Sequence, residues 1–191
     1  MGIISENKPI TIVGGARFSR RLFLESLKWA PVVYAADGGA NLCMQYGCQP
    51  ARVIGDLDSI SPTVRSELDP ARVIHVAEQD TTDFEKLLMR VHAPTMLAVG
   101  FLGDRIDHQM AVQTVLTAYA HRKIICVGEQ DVMFVRRPKS ICHWIGKHVF
   151  RCIPWHLFRR GRLDYFGQQM TCTLPQTVKL ALQIGQRGLS Q

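Results

Sequence analysis

Long apolar runs, CxxC cysteine pairs and the familiar phosphate-loop signatures are all missing from this 191-residue sequence. Charge, Gly or Pro interrupts each apolar stretch well short of the roughly 18 residues that a membrane-spanning helix needs. No membrane partner is expected. Residues Met1 to Ile10 carry no apolar segment of the signal-peptide kind, so a cytoplasmic location is the expectation. The 6 cysteines stand at positions 43, 48, 126, 142, 152 and 172 without a CxxC pair. That excludes a tight disulfide framework and reads as reduced thiols. Cys142, His148, Cys152 and His156 come nearest to a metal spacing, but they match no standard zinc pattern. The GxxxxGK(S/T) loop does not occur, and Val13-Gly14-Gly15-Ala16-Arg17 is not a GxGxxG fingerprint. A phosphate group would have to be held another way.

What is present is globular: 47% apolar and 20% charged residues, with 15 Gly and 9 Pro. This composition excludes a disordered tail, a collagen-like repeat or a coiled coil. The length suits one ordinary domain, or one plus a small appendage. The net charge of +7 invites a nucleic-acid reading, so its distribution matters. From Met1 to Gly146 there are 16 Lys and Arg against 15 Asp and Glu, whereas Lys147 to Gln191 holds 7 against 1. The excess is confined to the tail, and nucleic acid is not an expected partner.

The first two-thirds of the chain alternates short apolar runs with helical patterns. Pro9–Val13, Val32–Ala36, Arg52–Ile54, Arg72–Val76, Thr95–Gly100 and Lys123–Val127 read as buried strands. Arg20–Trp29, Gly39–Tyr46, Pro62–Leu68, Thr81–Val91 and Arg105–Ala120 carry helical spacing. Such alternation predicts an α/β fold, a mainly parallel sheet flanked by helices, with ligands at the carboxyl ends of the strands. Asp131–Val135 is a further candidate strand, but no clean period follows from Ser140. The expected division is an α/β domain over residues 1–130 and a small, divergent or incomplete β-rich domain over 131–191.

Four polar clusters fall at successive strand ends: Ala36–Asn41, Gly55–Ser59, Gln79–Asp83 and Gly100–His108. Carboxylates two residues apart can share a hard cation, and Mg²⁺ takes one or two of them with water and phosphate oxygens. Glycines let backbone amides approach a polyphosphate, while Lys86 and Arg105 are placed to neutralise its oxygens. Each cluster also has a plainer reading. Asp37-Gly38-Gly39 alone is a turn. Asp80 and Asp83, with Thr81 or Thr82, suit a helix cap and an acidic first turn. Asp107 and His108 suit an exposed first turn with a structural histidine. Asp56 and Asp58 are the hardest to dismiss, because like charges in a short loop repel unless a cation intervenes.

In order and spacing, Ala36–Asn41, Gly55–Ser59, Gln79–Lys86 and Gly100–His108 resemble the thiamine pyrophosphokinases, also called thiamine diphosphokinases. The resemblance covers about residues 9 to 135. It implies transfer of a pyrophosphoryl group from ATP to the hydroxyethyl oxygen of thiamine, giving thiamine diphosphate and AMP. It also implies Mg²⁺, ATP and thiamine as ligands, and an α/β catalytic domain followed by a β-sandwich domain in a homodimer. Carried over by position, Asp56 and Asp58 are the metal and nucleotide-phosphate aspartates, and Asp80 or Asp83 completes the acidic set. Asp37, Gly38, Asn41, Asp80, Thr81, Lys86 and Arg105 are the implied ATP-binding set. Arg105 and Asp107 form the last motif, where Asp107 would orient or deprotonate the thiamine hydroxyl. The implied catalytic set is Asp56, Asp58, Asp83 and Asp107; the implied metal set is Asp56, Asp58, Asp80 and Asp83. Asp104 departs from the small residue usual in that last motif.

The tail departs further. The Gly-Leu-x-Trp segment and the later Ser-Asn pair expected in the second domain are absent after residue 135, and Trp144 and Trp155 lie in other contexts. Degenerate codons for Lys147–Gln191, read from each third base, permit strings resembling the missing segments in the right order. The preferred reading is therefore a frame shift near residues 136–145; the alternative is a divergent small domain. The coding DNA distinguishes them. Two other functions stay open at this level: a Mg²⁺-dependent pyrophosphotransferase with another acceptor, and a non-enzymatic anion or nucleic-acid binder using the basic tail.

Overall fold

A computed structural model describes residues 2–103, 105–136, 140–145 and 149–154, with side-chain surroundings through residue 135. Asp104, His148, His156 and most of the basic tail lie outside the described residues, and only the backbone of Cys142 and Cys152 is described.

In chain order the elements are β1 (Ile4–Ser5), β2 (Ile10–Val13), α1 (Arg20–Trp29), β3 (Val32–Ala36), α2 (Gly39–Gln45), β4 (Arg52–Gly55) and α3 (Pro62–Glu67). A 3₁₀ turn at Pro70–Arg72 leads into β5 (Val73–His75). Then come α4 (Asp83–Arg90), β6 (Val91–His92), β7 (Met96–Val99), α5 (Ile106–Ala118), β8 (Ile124–Val127), β9 (Asp131–Arg136), β10 (Ser140–Ile145) and β11 (Val149–Pro154). The large sheet runs β11-β10-β9-β8-β7-β2-β3-β4-β5. From β8 to β5 every neighbour is parallel, while β8 to β11 pair antiparallel. The change of direction falls where the sequence pattern changes. The mainly parallel α/β architecture expected from the alternation is the one observed.

Alternation along the central strands explains the two-sided core. Val13, Val33, Ala35, Val53 and Val99 face one layer, where Leu22 and Phe23 of α1 and Cys43 of α2 pack. Ile12, Tyr34, Ala36, Ile54 and Ala98 face the other, against Phe84, Leu87 and Leu88 of α4 and Val112 and Leu116 of α5. Successive side chains point to opposite faces, so a strand covered on both sides must be apolar throughout.

Element ends move by one or two residues for identifiable reasons. Helix α4 starts at Asp83 rather than Thr81 because Thr82 is extended and its hydroxyl accepts from Glu85 N–H at 3.2 Å. It stops before Val91 because that residue pairs with Ile4 in a two-stranded parallel sheet. Two-residue strands such as β1 and β6 leave no period to read in the sequence. Burial pushes the thiols of Cys43, Cys48 and Cys126 up, so they stay protonated and inert. No helix among the described residues is long and apolar enough to cross a membrane.

Candidate active site

The chain runs from β2 outward through β3, β4 and β5, then returns to place β7 on the other side of β2. The chain leaving β2 passes to α1 on one face and the chain leaving β7 to α5 on the other, so a crevice opens at this reversal. A cavity of about 750 Å³ lies there, lined by residues following β2, β3, β4 and β7, by the start of α4, and by α5. That volume suits a nucleotide-sized ligand.

One wall is acidic and built from buried backbone. Carboxylate oxygens of Asp37, Asp56 and Asp58 all lie within 4.8 Å of one another. Asp37 follows β3, is 1% exposed and has φ of 40°. Its N–H donates to Ile54 O at 3.0 Å, and its Oδ2 accepts from Ser59 N–H at 3.2 Å. Its Oδ1 is buried without a hydrogen-bond partner. A buried carboxylate oxygen left bare is costly unless a ligand meets it. Gly55, at the end of β4, allows this approach: a Cβ there would stand 2.7 Å from that of Asp37. Leu57 separates the other two aspartates with φ of 68° and a side chain buried in the core. Its anchored side chain holds a backbone conformation uncommon for leucine, which keeps Asp56 and Asp58 on the pocket side. Asn41 clamps the same loop, donating to Ser59 O at 2.8 Å and accepting from Ser61 N–H at 3.0 Å.

Lys86 ties this wall to α4. Its side chain is 2% exposed, with Nζ 2.8 Å from Asp56 Oδ2 and 3.3 Å from Asp83 Oδ1. Gln79 also donates to Asp56 Oδ2, at 3.2 Å. The Lys86 hydrogen bond holds the Asp56 carboxyl below the usual range. Desolvation, then the Asp37 charge, pushes Asp83 up. Burial alone would lower Lys86, but the bonds to Asp56 and Asp83 outweigh it and leave it raised. Thr81 lines the cavity with a buried hydroxyl that has no partner.

The opposite wall is exposed. Arg105 grips Asp107 through two bonds, Nε to Oδ1 at 3.2 Å and Nη2 to Oδ2 at 2.5 Å. Their side chains are 74% and 63% exposed. The guanidinium holds the Asp107 carboxyl at about 2. Phe84 and Phe101, with ring centroids 4.3 Å apart, supply an apolar surface between the walls.

The structure thus brings Asp37, Gly38, Asn41, Asp56, Asp58, Thr81, Asp83, Lys86 and Arg105 around one cavity. Asp80 is exposed and outside its lining, and Asp107 reaches it only through Arg105. The tightest acidic group contains Asp37, which the sequence motifs placed only near the nucleotide, and neither Asp80 nor Asp83. Gly14 to Arg17, which match no GxGxxG fingerprint and were given no site role from the sequence, also line the cavity. The signal was there: a glycine pair ending the first strand of the parallel set.

Three carboxylates, one of them with a bare buried oxygen, form a donor set suited to a hard divalent cation, so Mg²⁺ fits this wall. Residues 23–127 match the family described as "Thiamin pyrophosphokinase, catalytic domain". The chain belongs to this thiamin pyrophosphokinase family. It is 29% identical over 164 residues to thiamine pyrophosphokinase 3 of Oryza sativa subsp. japonica, covering 72% of this chain and 59% of that protein. Against thiamine pyrophosphokinase 1 of Arabidopsis thaliana it is 26% identical over 166 residues, covering 69% and 62%. The chain thus spans about three-fifths of these relatives' length. Thiamin pyrophosphokinase from Geobacillus thermodenitrificans superposes with a TM-score of 0.58 at 28% identity, covering 69% of this chain and 65% of that one. The yeast enzyme, at 17% identity and a TM-score of 0.57, shares the fold.

Proposed function

We propose that this chain carries the catalytic part of a thiamine diphosphokinase, moving the pyrophosphoryl group of ATP to the hydroxyethyl oxygen of thiamine. The observation that carries the reading is the Asp37–Asp56–Asp58 group, with its unpartnered buried oxygen, at the strand reversal of a chain in this family. In the transfer, the hydroxyl oxygen bonds to the β-phosphorus of ATP, the bond from that phosphorus to the α-phosphate bridging oxygen breaks, and AMP leaves. Bound Mg²⁺ would supply charge neutralisation to the polyphosphate, held by Asp37, Asp56 and Asp58.

The rest is positioning by residues already fixed in place. Asn41 and Leu57 hold the aspartate loop. Lys86 keeps Asp56 ionised and limits repulsion within the acidic wall. Arg105 meets phosphate oxygens from the opposite side. Asp107, held at about 2 by Arg105, is a weak proton acceptor, so its part is to orient that guanidinium. Asp83, half-exposed beside Lys86 and pushed upward, is the better-placed carboxylate to take the thiamine hydroxyl proton. The thiamine pocket and the homodimer contact expected of a second domain fall in residues 131–191, most of them outside the described residues. A cytoplasmic location belongs to the same reading.

Product analysis after incubation with ATP, Mg²⁺ and thiamine tests it. Thiamine diphosphate and AMP in equal amounts support the assignment. AMP formed at the same rate without thiamine points to another acceptor, and ADP as the nucleotide product contradicts it.

A further inference from the structure

The family match begins at residue 23 and leaves out the segment between β2 and α1. That segment lines the cavity through Gly14, Gly15, Ala16 and Arg17. Three Lys or Arg side chains line the cavity among the described residues: Arg17, Lys86 and Arg105. Lys86 is committed to Asp56 and Asp83, and Arg105 to Asp107. Arg17 alone of the three has no carboxylate partner among the described residues, and it is exposed.

Its backbone is nevertheless fixed on both sides. Gly14 N–H donates to Val99 O at 2.8 Å and Ala16 N–H to Gly100 O at 2.9 Å, which ties the loop to the end of β7. A Cβ on Gly14 would stand 2.4 Å from Gly100 O, so only glycine permits this contact. Just beyond Arg17, Phe18 is buried against Phe23 and Tyr46, and its carbonyl accepts from the Tyr46 hydroxyl at 2.5 Å. A guanidinium with no carboxylate partner among the described residues, carried on a pinned loop at the strand reversal and lining a cavity whose other wall would hold a cation, is well placed to meet an anion.

We infer that Arg17 is a binding residue for the polyphosphate of the nucleotide, supplying a forked contact from the β2 side of the cavity. This rests on the nucleotide reading above and adds a residue to it. The contact makes the β2–α1 loop, rather than α5 alone, a determinant of nucleotide affinity.

The test is calorimetric binding of Mg²⁺–ATP to the full chain, wild type against Arg17→Gln, Arg17→Lys and Arg20→Gln, with KM for each substrate measured in parallel. Arg20 is exposed at the start of α1 and does not line the cavity. Removing a charge-assisted fork should weaken Mg²⁺–ATP about tenfold or more and raise its KM alike. Arg17→Lys should fall between, with the thiamine KM and Arg20→Gln both unchanged. Undiminished Mg²⁺–ATP binding by Arg17→Gln overturns the inference. So does an equal loss in Arg20→Gln, which would reflect overall charge, or a change confined to thiamine. If wild type binds no Mg²⁺–ATP, the nucleotide reading falls first and Arg17 with it.

Discussion

The two walls of the cavity carry charge in opposite ways. On the β3–β4 side, Asp37 and Lys86 are 1% and 2% exposed, and backbone bonds, a close glycine contact and a buried leucine hold the charges. On the α5 side, Arg105 and Asp107 stand in solvent and hold chiefly each other. A buried charge is part of the fold: removing one partner leaves the other uncompensated in a poor solvent for ions. An exposed pair is screened and contributes little to the fold, so its value lies in what it offers a ligand. The more deeply buried charges of the acidic wall, Asp37, Asp56 and Lys86, should therefore lose function and stability together, whereas its exposed Asp58 and the basic wall should lose function alone.

The largest expected effect is on the acidic wall. Asp56→Asn should lower turnover by about 10²- to 10³-fold and cost about 2 kcal/mol through its weakened bond to Lys86. Initial rates and urea unfolding of one preparation measure both; near-normal turnover removes Asp56 from the cation set. Lys86→Met should cost about 3 kcal/mol by stranding Asp56 beside Asp83, visible as a lower unfolding midpoint. Gly55→Ala follows, because the new methyl meets the Asp37 side chain: about 1–3 kcal/mol, with a weakened response to Mg²⁺ in nucleotide binding.

Acid should sharpen the contrast. Asp56 sits below its ordinary value, so its contribution is full above about pH 4 and fades as pH falls through its lower folded value. The gap between wild type and Asp56→Asn in urea unfolding should narrow over that window. Asp83 has the opposite sign: raised in the fold, it costs stability as pH rises past the ordinary carboxylate value. The smallest stability effect belongs to Arg105→Gln, which should leave the melting temperature unchanged while raising KM for Mg²⁺–ATP about tenfold. A clear loss of stability there would erase the distinction between the walls.

Much of this was legible in the sequence. The strand and helix alternation predicted the parallel sheet because each central strand is covered on both faces and must be apolar along its length. Asp56 and Asp58 were legible because two like charges in a three-residue span require a reason. Asp37 was harder. Its place among them depends on a positive φ and on the missing side chain of Gly55 across the sheet, and neither leaves a local pattern. Arg17 was hidden because the reversal at β2 exists only once β7 has returned beside it. The capping reading of Gln79–Asp83 survives in part: Thr82 caps α4, while Asp83 reaches Lys86 and Asp80 remains in solvent. Of the antiparallel strands after Val127, Asp131–Val135 was legible and becomes β9, whereas the stretch from Ser140 gave no period to read and its backbone pairing reveals β10 and β11.

The most direct test of the cation site uses Asp58→Asn, since Asp58 is exposed and the change spares the fold. Paramagnetic Mn²⁺ serves as the probe, its binding in the presence of ATP followed by electron paramagnetic resonance for wild type and variant. Wild type should bind one tight Mn²⁺ per ATP-bound chain, and Asp58→Asn should bind it about 10- to 100-fold more weakly, with unchanged melting. Equal Mn²⁺ affinity in the two proteins would contradict it.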